Sequence, residues 1–264
     1  MGSLAEQGAS QLIADGLFEC HIHEDWKVYG PDGGYITSIL LRAVGQVSEH
    51  PFPISYFGQY LRVADFGKAQ VKVECIKRGR QASAYEAQLF RNDKLVHKAL
   101  VWTGIHKQGP DNSGLDHCLY EKPEFYVPLE EAGPRPTLGP FPFWDNLDIK
   151  KVKAGDGHFG QWYRFIPELY DIDPYLDAAR SLVLIDTMQW PAAWHLHNGP
   201  MNYAAPSLDL SVRFHAFSET QWVFCNAVAD VGYGGLLAGS GYVWDEDGKL
   251  LASGGSQSLC VGVG

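Results

Sequence analysis

The sequence predicts an α+β fold in which one unit, a long helix wrapped by a curved antiparallel sheet, is written twice. Three observations carry this. Gln88 to Ala99 and Tyr242 to Ser253 each hold an apolar run, a tight acidic turn (Asn92-Asp93-Lys94 and Asp245 to Gly248) and a second apolar run opening Lys-Leu, the pattern of a hairpin. Upstream, Tyr56 to Val63 and Asp209 to Ala216 both alternate apolar and polar residues and lead into a further strand, Ala69 to Ile76 and Trp222 to Ala229. The offset between copies barely moves, from 153 at Val63/Ala216 to 155 at Lys94/Lys249, as an internal duplication requires.

The first copy, residues 1–106, opens with a strand over Leu17 to Trp26 and a Pro31-Asp32-Gly33-Gly34 turn. A helix then runs from Tyr35 to Val47, because Ile36, Ile39, Leu40, Ala43, Val44 and Val47 recur at helical spacing and give it one apolar face. Four strands follow, at about 54–63, 68–77, 82–91 and 95–105. Residues 107–157 hold seven prolines and read as a connector without regular elements, its Phe, Tyr and Trp content suited to packing along the surface. The second copy, 158–264, repeats the order: a strand Phe159 to Pro167, a helix Pro174 to Trp190 capped by Asp173, and strands near 207–217, 221–230, 234–244 and 249–261.

Composition excludes several classes. A net charge of −10 repels a polyanionic backbone, so nucleic acid is not an expected partner. No apolar run approaches the roughly 20 residues that cross a bilayer, and the start MGSLAEQGAS lacks the basic and apolar regions of a signal peptide, so the expected location is the cytoplasm, without a membrane partner. Met1-Gly2 opens like a myristoylation site but places Glu6 where Ser or Thr is needed. The cysteines Cys20, Cys75, Cys118, Cys225 and Cys260 are odd in number and scattered, which suits reduced thiols and neither a disulfide framework nor a zinc site. His21/His23 and His195/His197 are paired, but no third ligand is spaced to join them, so no metal and no cofactor is expected. No G-x-S-x-G, P-loop or dinucleotide glycine motif is present.

Gly33-Gly34-Tyr35 at the first helix, Pro206 to His215 (PSLDLSVRFH), Trp222, and Val243 to Ala252 (VWDEDGKLLA) ahead of Gln257 occur in an order and spacing that resemble the acyl-CoA thioesterase II group and its thioesterase-like relatives, which have a double hot-dog fold. The resemblance implies an enzyme that hydrolyses an acyl thioester, acyl-CoA above all, to a free acid and CoA. It also implies an Asp on the second-copy helix, a Ser or Thr on a second-copy strand and a Gln on the last strand. Asp186 matches the first; it is either the working acid or an Asp on a polar helix face beside Thr187 and Gln189. Gln257 matches the last, with one extra residue after Ala252 that a bulge would have to absorb. Counting from Trp222 puts the hydroxyl position at Ala229 or Asp230, leaving Asp230 as a polar substitute.

The duplication adds an argument from asymmetry. At an offset of 153, Asp186 falls opposite Gly33 and Asp230 opposite Lys77; at 155, Gln257 falls opposite Trp102, so one working site per chain is expected. In that site Asp186 would act as general base on a water that Gln257 helps to hold. The N–H groups of Gly34 and Tyr35 would stabilise the oxyanion, and glycine at 33 and 34 would let the acyl group approach the backbone. Lys77, Arg78 and Arg80 form the compact basic cluster, either a solvated turn or a seat for the CoA phosphates. Two other readings stay open: an enoyl-thioester hydratase or dehydratase using His195 or His197 with Asp186, and a non-catalytic acyl-thioester or lipid-binding protein. A monomer and a homodimer are both compatible with paired repeats that retain strand edges.

Overall fold

The computed structural model describes residues 2–110, 120–129, 131, 140–197 and 202–262. In the first copy these form α1 (Leu4–Gln7), β1 (Ser10–Ala14), β2 (Leu17–Ile22), α2 (Gly33–Val47), β3 (Phe52–Tyr60), β4 (Gly67–Lys77), β5 (Ala82–Arg91) and β6 (Lys94–Gly104). The second copy holds β7 (Leu147–Gly155), β8 (His158–Phe165), α3 (Pro174–Thr187), α4 (Gln189–Leu196), β9 (Tyr203–Ala204), β10 (Asp209–Phe214), β11 (Trp222–Tyr233), β12 (Leu236–Asp245), β13 (Leu250–Leu259) and β14 (Val261–Gly262). β9 and β14 form a separate small pair.

The other strands make one antiparallel sheet whose order, β1-β2-β4-β5-β6-β3-β10-β13-β12-β11-β8-β7, reads equivalently from either edge. The copies meet at the β3–β10 seam, where Phe57 faces Ser211 and Gln59 faces Asp209. Ladder registers fix the equivalence of the halves: Tyr60 pairs with His97 as Phe214 pairs with Ala252, and Pro53 pairs with Thr103 as Ser207 bridges Ser258. The hairpin turn between β5 and β6 has two residues, Asn92 and Asp93, both at positive φ, whereas four residues separate β12 from β13. At the ladder register the turn adds one residue, since Phe90 pairs with Leu95 and Trp244 with Leu250, which takes the offset from 154 ahead of it to 155 beyond it.

α2 and α3 lie against each other inside the concave face of the sheet. Asp32 caps α2 by accepting a bond from the Tyr35 N–H, and Asp173 caps α3 through Tyr175 and Leu176. The helices are antiparallel, since Gly34 abuts Leu182 and Val183 while Gly45 abuts the Tyr175 ring. Leu182, Val183, Leu184 and Ile185 are wholly buried, each contributing roughly 1.5–3 kcal/mol as an upper estimate. The charged residues Asp177 and Arg180 are tolerated in this buried helix because they pair with each other and bind the backbone of Ser218 and Thr220.

Several expectations need correction. The first strand stops at Ile22, followed by a 3-10 turn over Glu24–Trp26, and β1 adds an edge strand that periodicity did not reveal. The long second helix breaks at Met188, so Pro191 lies in the first turn of α4, where its missing N–H is tolerated. The connector lies partly outside the described residues, as does Cys118, and its end is regular: Leu147–Gly155, beyond the last proline, is the edge strand β7. Its aromatic stretch does pack on the outer face of the second-copy sheet, where the Trp162 indole N–H donates to the Glu121 carbonyl at 3.1 Å and Tyr120 lies 4.5 Å from Phe224.

Candidate active site

Asp186 stands in the last turn of α3, where the antiparallel helix pair brings it over the first turn of α2. Gly33 makes that approach possible: a Cβ there would lie 2.6 Å from Asp186 Oδ2 and 3.0 Å from the Tyr60 hydroxyl. Asp186 and Gly33 are therefore in contact and are not equivalents of each other. Aligned by their caps, the helices set Asp186 opposite Gly45.

Three donors converge on Asp186. The Ser207 hydroxyl favours the charged carboxylate most, followed by the Tyr60 hydroxyl, which donates to Oδ1 at 3.2 Å, and the Gly34 N–H. Burial outweighs them and raises the Asp186 pKa, with the nearby Asp209 adding to the rise. Asp32 is raised too, by burial and then by the Asp186 charge, although the Tyr35 and Gly34 N–H groups and the Thr187 hydroxyl oppose this; Thr187 donates to Asp32 Oδ2 at 2.8 Å. Two carboxylates thus stand beside one helix N-terminus, Asp32 buried and Asp186 half-buried, both held above the ordinary carboxylate range. Asp186, Gly33, Tyr60 and Ser207 are each only half-buried, so solvent reaches the group.

Tyr60 and Ser207 are neighbours across the seam, where the Tyr60 N–H donates to the Leu208 carbonyl at 2.9 Å. Tyr60 is held protonated by burial and by the Asp186 charge. Behind it His97 is fully buried and pushed down to about 3 by burial; its Nε2 is 2.7 Å from the Tyr56 hydroxyl and its ring 4.5 Å from that of Tyr60.

The other sequence candidates fall elsewhere. The hydroxyl beside Asp186 is that of Ser207, ahead of β10, whereas Asp230 stands on β11 and has no contact with Asp186 among those of the described residues. Asp230 is an exposed bulge residue whose carboxylate accepts a bond from Ser240, and Ile76 is the matching bulge in the first copy, replacing the expected Lys77 counterpart. Gln257 does lie opposite Trp102 in the repeat, but its side chain turns from Asp186 and donates to the Leu237 carbonyl at 3.1 Å. The bulge in β13 sits ahead of Ala252, so the extra residue after Ala252 stays in the ladder and puts Ser256 inward, bonded to Gln189 Oε1 at 2.8 Å.

The proposed oxyanion donors are engaged as well. The Tyr35 N–H binds Asp32 at 2.7 Å and the Gly34 N–H faces Asp186, which leaves Gly33 as the first-turn amide without a hydrogen-bond partner among the described residues. Lys77 lies over the Trp102 ring at 5.0 Å, Arg78 pairs with Glu49, and Arg80 is exposed. Trp102 pairs with Ser55, ~17 Å along β3 from Tyr60, so this cluster does not reach Asp186. His195 packs on Phe159 and His197 is exposed, and neither bonds Asp186. Among the described residues no set of three or more His, Cys, Asp or Glu is arranged to hold a metal, and no helix is long and apolar enough to cross a membrane.

Comparison with known proteins bears on both halves. Residues 22–104 match the model of the acyl-CoA thioesterase N-terminal domain, and residues 116–261 match that of the acyl-CoA thioesterase C-terminal domain. Among curated proteins no sequence matches. A conserved hot-dog-fold protein of unknown function from Alicyclobacillus acidocaldarius is similar with a TM-score of 0.84 at 17% identity, covering 99% of this chain and 98% of that one. The acyl-CoA thioesterase II TesB2 of Mycobacterium marinum is similar with a TM-score of 0.79 at 16% identity, covering 98% and 97%. The dehydratase domain of the CurJ module of the curacin polyketide synthase is more distant, with a TM-score of 0.57 at 13% identity, covering 96% and 94%. These likenesses establish the double hot-dog fold.

Proposed function

Because the chain belongs to the acyl-CoA thioesterase family and is a thioester hydrolase, we propose that it cleaves acyl-CoA to a free acid and CoA with Asp186 as general base. The observation that carries the assignment is the convergence of Ser207, Tyr60 and the α2 N-terminus on a carboxylate whose pKa is raised by burial.

The step follows from that geometry. Asp186 and Ser207 hold a water between them, and its oxygen attacks the thioester carbonyl carbon as its proton passes to Asp186. A raised pKa makes Asp186 a stronger base than a surface carboxylate, yet one that ionises near neutral pH. The oxyanion forms at the positive end of α2, within reach of the Gly33 N–H. As the C–S bond breaks, protonated Asp186 returns its proton to the leaving thiolate, and the products are a carboxylic acid and CoA thiol. Gly33 keeps a side chain out of the space beside Asp186 and Tyr60 that the thioester needs, while Gly34 lets α2 pack against Leu182 and Val183.

The hydratase or dehydratase reading has less support, because among the described residues the buried histidine near the site, His97, is engaged by Tyr56, and none of His97, His195 and His197 bonds Asp186. Asp186→Asn tests the assignment. Thiol release across a chain-length series of acyl-CoA should fall by about a thousandfold or more with the fold retained. Undiminished turnover would sink the general-base reading, and tight acyl-CoA binding without turnover by the unaltered protein would make it a binding protein.

A further inference from the structure

The site on the second copy is completed by the first. Tyr60 ends β3, Asp186 lies in α3, and the bond between them spans the seam. The Tyr60 ring is backed by His97, and His97 is fixed by Tyr56 from the same strand as Tyr60, two turns of the pleat away. Gly58, between the two tyrosines, leaves room for the imidazole: a Cβ there would stand 2.5 Å from His97 Nε2. His97 pairs directly with Tyr60 in the β3–β6 ladder, so the backing is built into the strand register.

We propose that Tyr60, held by the His97–Tyr56 pair, is a positioning residue that fixes the Asp186 carboxylate for the attack of water, so that hydrolysis in the second copy depends on a first-copy side chain. This rests on the general-base reading of Asp186. At the aligned position the second copy has Phe214 facing Ala252, which supplies neither the hydroxyl nor the ring behind it. A purely structural aromatic would serve equally as Phe in both copies.

Charge supports the same role. The groups facing Asp186 are Asp32 ahead of α2, Tyr60 on β3, Ser207 ahead of β10 and Asp209 at its start, with the Gly34 N–H. Burial and then Asp209 raise its pKa and the donors lower it, so loss of one donor moves it further up. His97 stays uncharged and adds no field of its own.

The test is the pH dependence of kcat and kcat/KM for thiol release from acyl-CoA by Tyr60→Phe, beside unaltered protein, Asp186→Asn and His97→Phe. Tyr60→Phe should lower kcat on the order of tenfold with little change in KM, and move the acid limb of the profile to higher pH. His97→Phe should show a smaller shift of the same sign, and its thermal melt separates loss of folding from loss of positioning. If Tyr60→Phe keeps kcat within about twofold and leaves the acid limb in place while Asp186→Asn is inactive, this inference is overturned and the general base stands. If Asp186→Asn is active, the general-base reading itself has failed.

Discussion

The two ends of the β3–β10 seam occupy equivalent places in the duplicated fold and have opposite chemistry. At one end stand Asp186, Tyr60, Ser207 and the first turn of α2. At the other, ~24 Å away along β3, the matching positions hold Gly45, Phe214, Pro53 and the first turn of α3. A small apolar cavity lies there, lined by Phe52, Pro53, Phe214 and Phe217 among others. Framework and helix caps are shared, so the fold by itself does not make a site. Three side chains that donate or accept protons, set around one helix end, make the difference.

Substitution at the helix crossings should separate the two ends most sharply after Asp186→Asn itself. Gly33→Ala drives a methyl into the Asp186 carboxylate and the Tyr60 hydroxyl, and should lower kcat on the order of a hundredfold with a modest change in melting temperature. Gly45→Ala presses instead on the Tyr175 ring, with its Cβ 2.7 Å from Cγ, and should cost ~1–3 kcal/mol of stability while sparing kcat. Equal losses of activity from both would mean that the crossings matter only for packing.

Ser207→Ala comes next. It should lower kcat about tenfold and move the acid limb to higher pH, because the hydroxyl favours the charged form of Asp186. Asp230→Ala, at the exposed bulge, should leave the profile unchanged; a reversal of these two outcomes would restore the position counted from Trp222.

The smallest effect is on stability. Asp186 and Asp32 have native pKa values raised above the ordinary carboxylate value. The native state therefore holds protons more tightly than the unfolded chain, and this contribution is complete below about pH 3.9 and lost as pH rises through the raised values. Asp32→Asn, which keeps a capping side chain, should flatten the fall in melting temperature across that window. His97 works in the opposite sense: its pKa is pushed down to about 3, so the stability it contributes is lost as pH falls from its ordinary range. An unchanged slope in Asp32→Asn would show that Asp32 does not hold its proton above the ordinary carboxylate range.

Much of this was legible in the chain. The hairpins, the helix at 35–47 and the capped helix at 174 follow from local periodicity and turn chemistry, and Asp186 is conspicuous as an acid beside Leu182 to Ile185. Asymmetry between the copies depends on the register at which they are compared. At the ladder register it singles out Tyr60 against Phe214, His97 against Ala252 and Ser207 against Pro53. Ser207 was already inside the Pro206 to His215 segment that carries the family resemblance.

The sequence by itself determined the duplication and the order of elements and singled out the acid proposed for the site, because these depend on residues within a few positions of one another. Tertiary structure alone decided which groups surround that acid. Strand side chains alternate with period two, so the place of one bulge sets whether Gln257 or Ser256 faces the helices, and no spacing in the chain fixes that place. The antiparallel crossing of α2 and α3, set by close packing at Gly34 and Gly45, then brings Gly33 and Tyr60 against Asp186 from far along the chain.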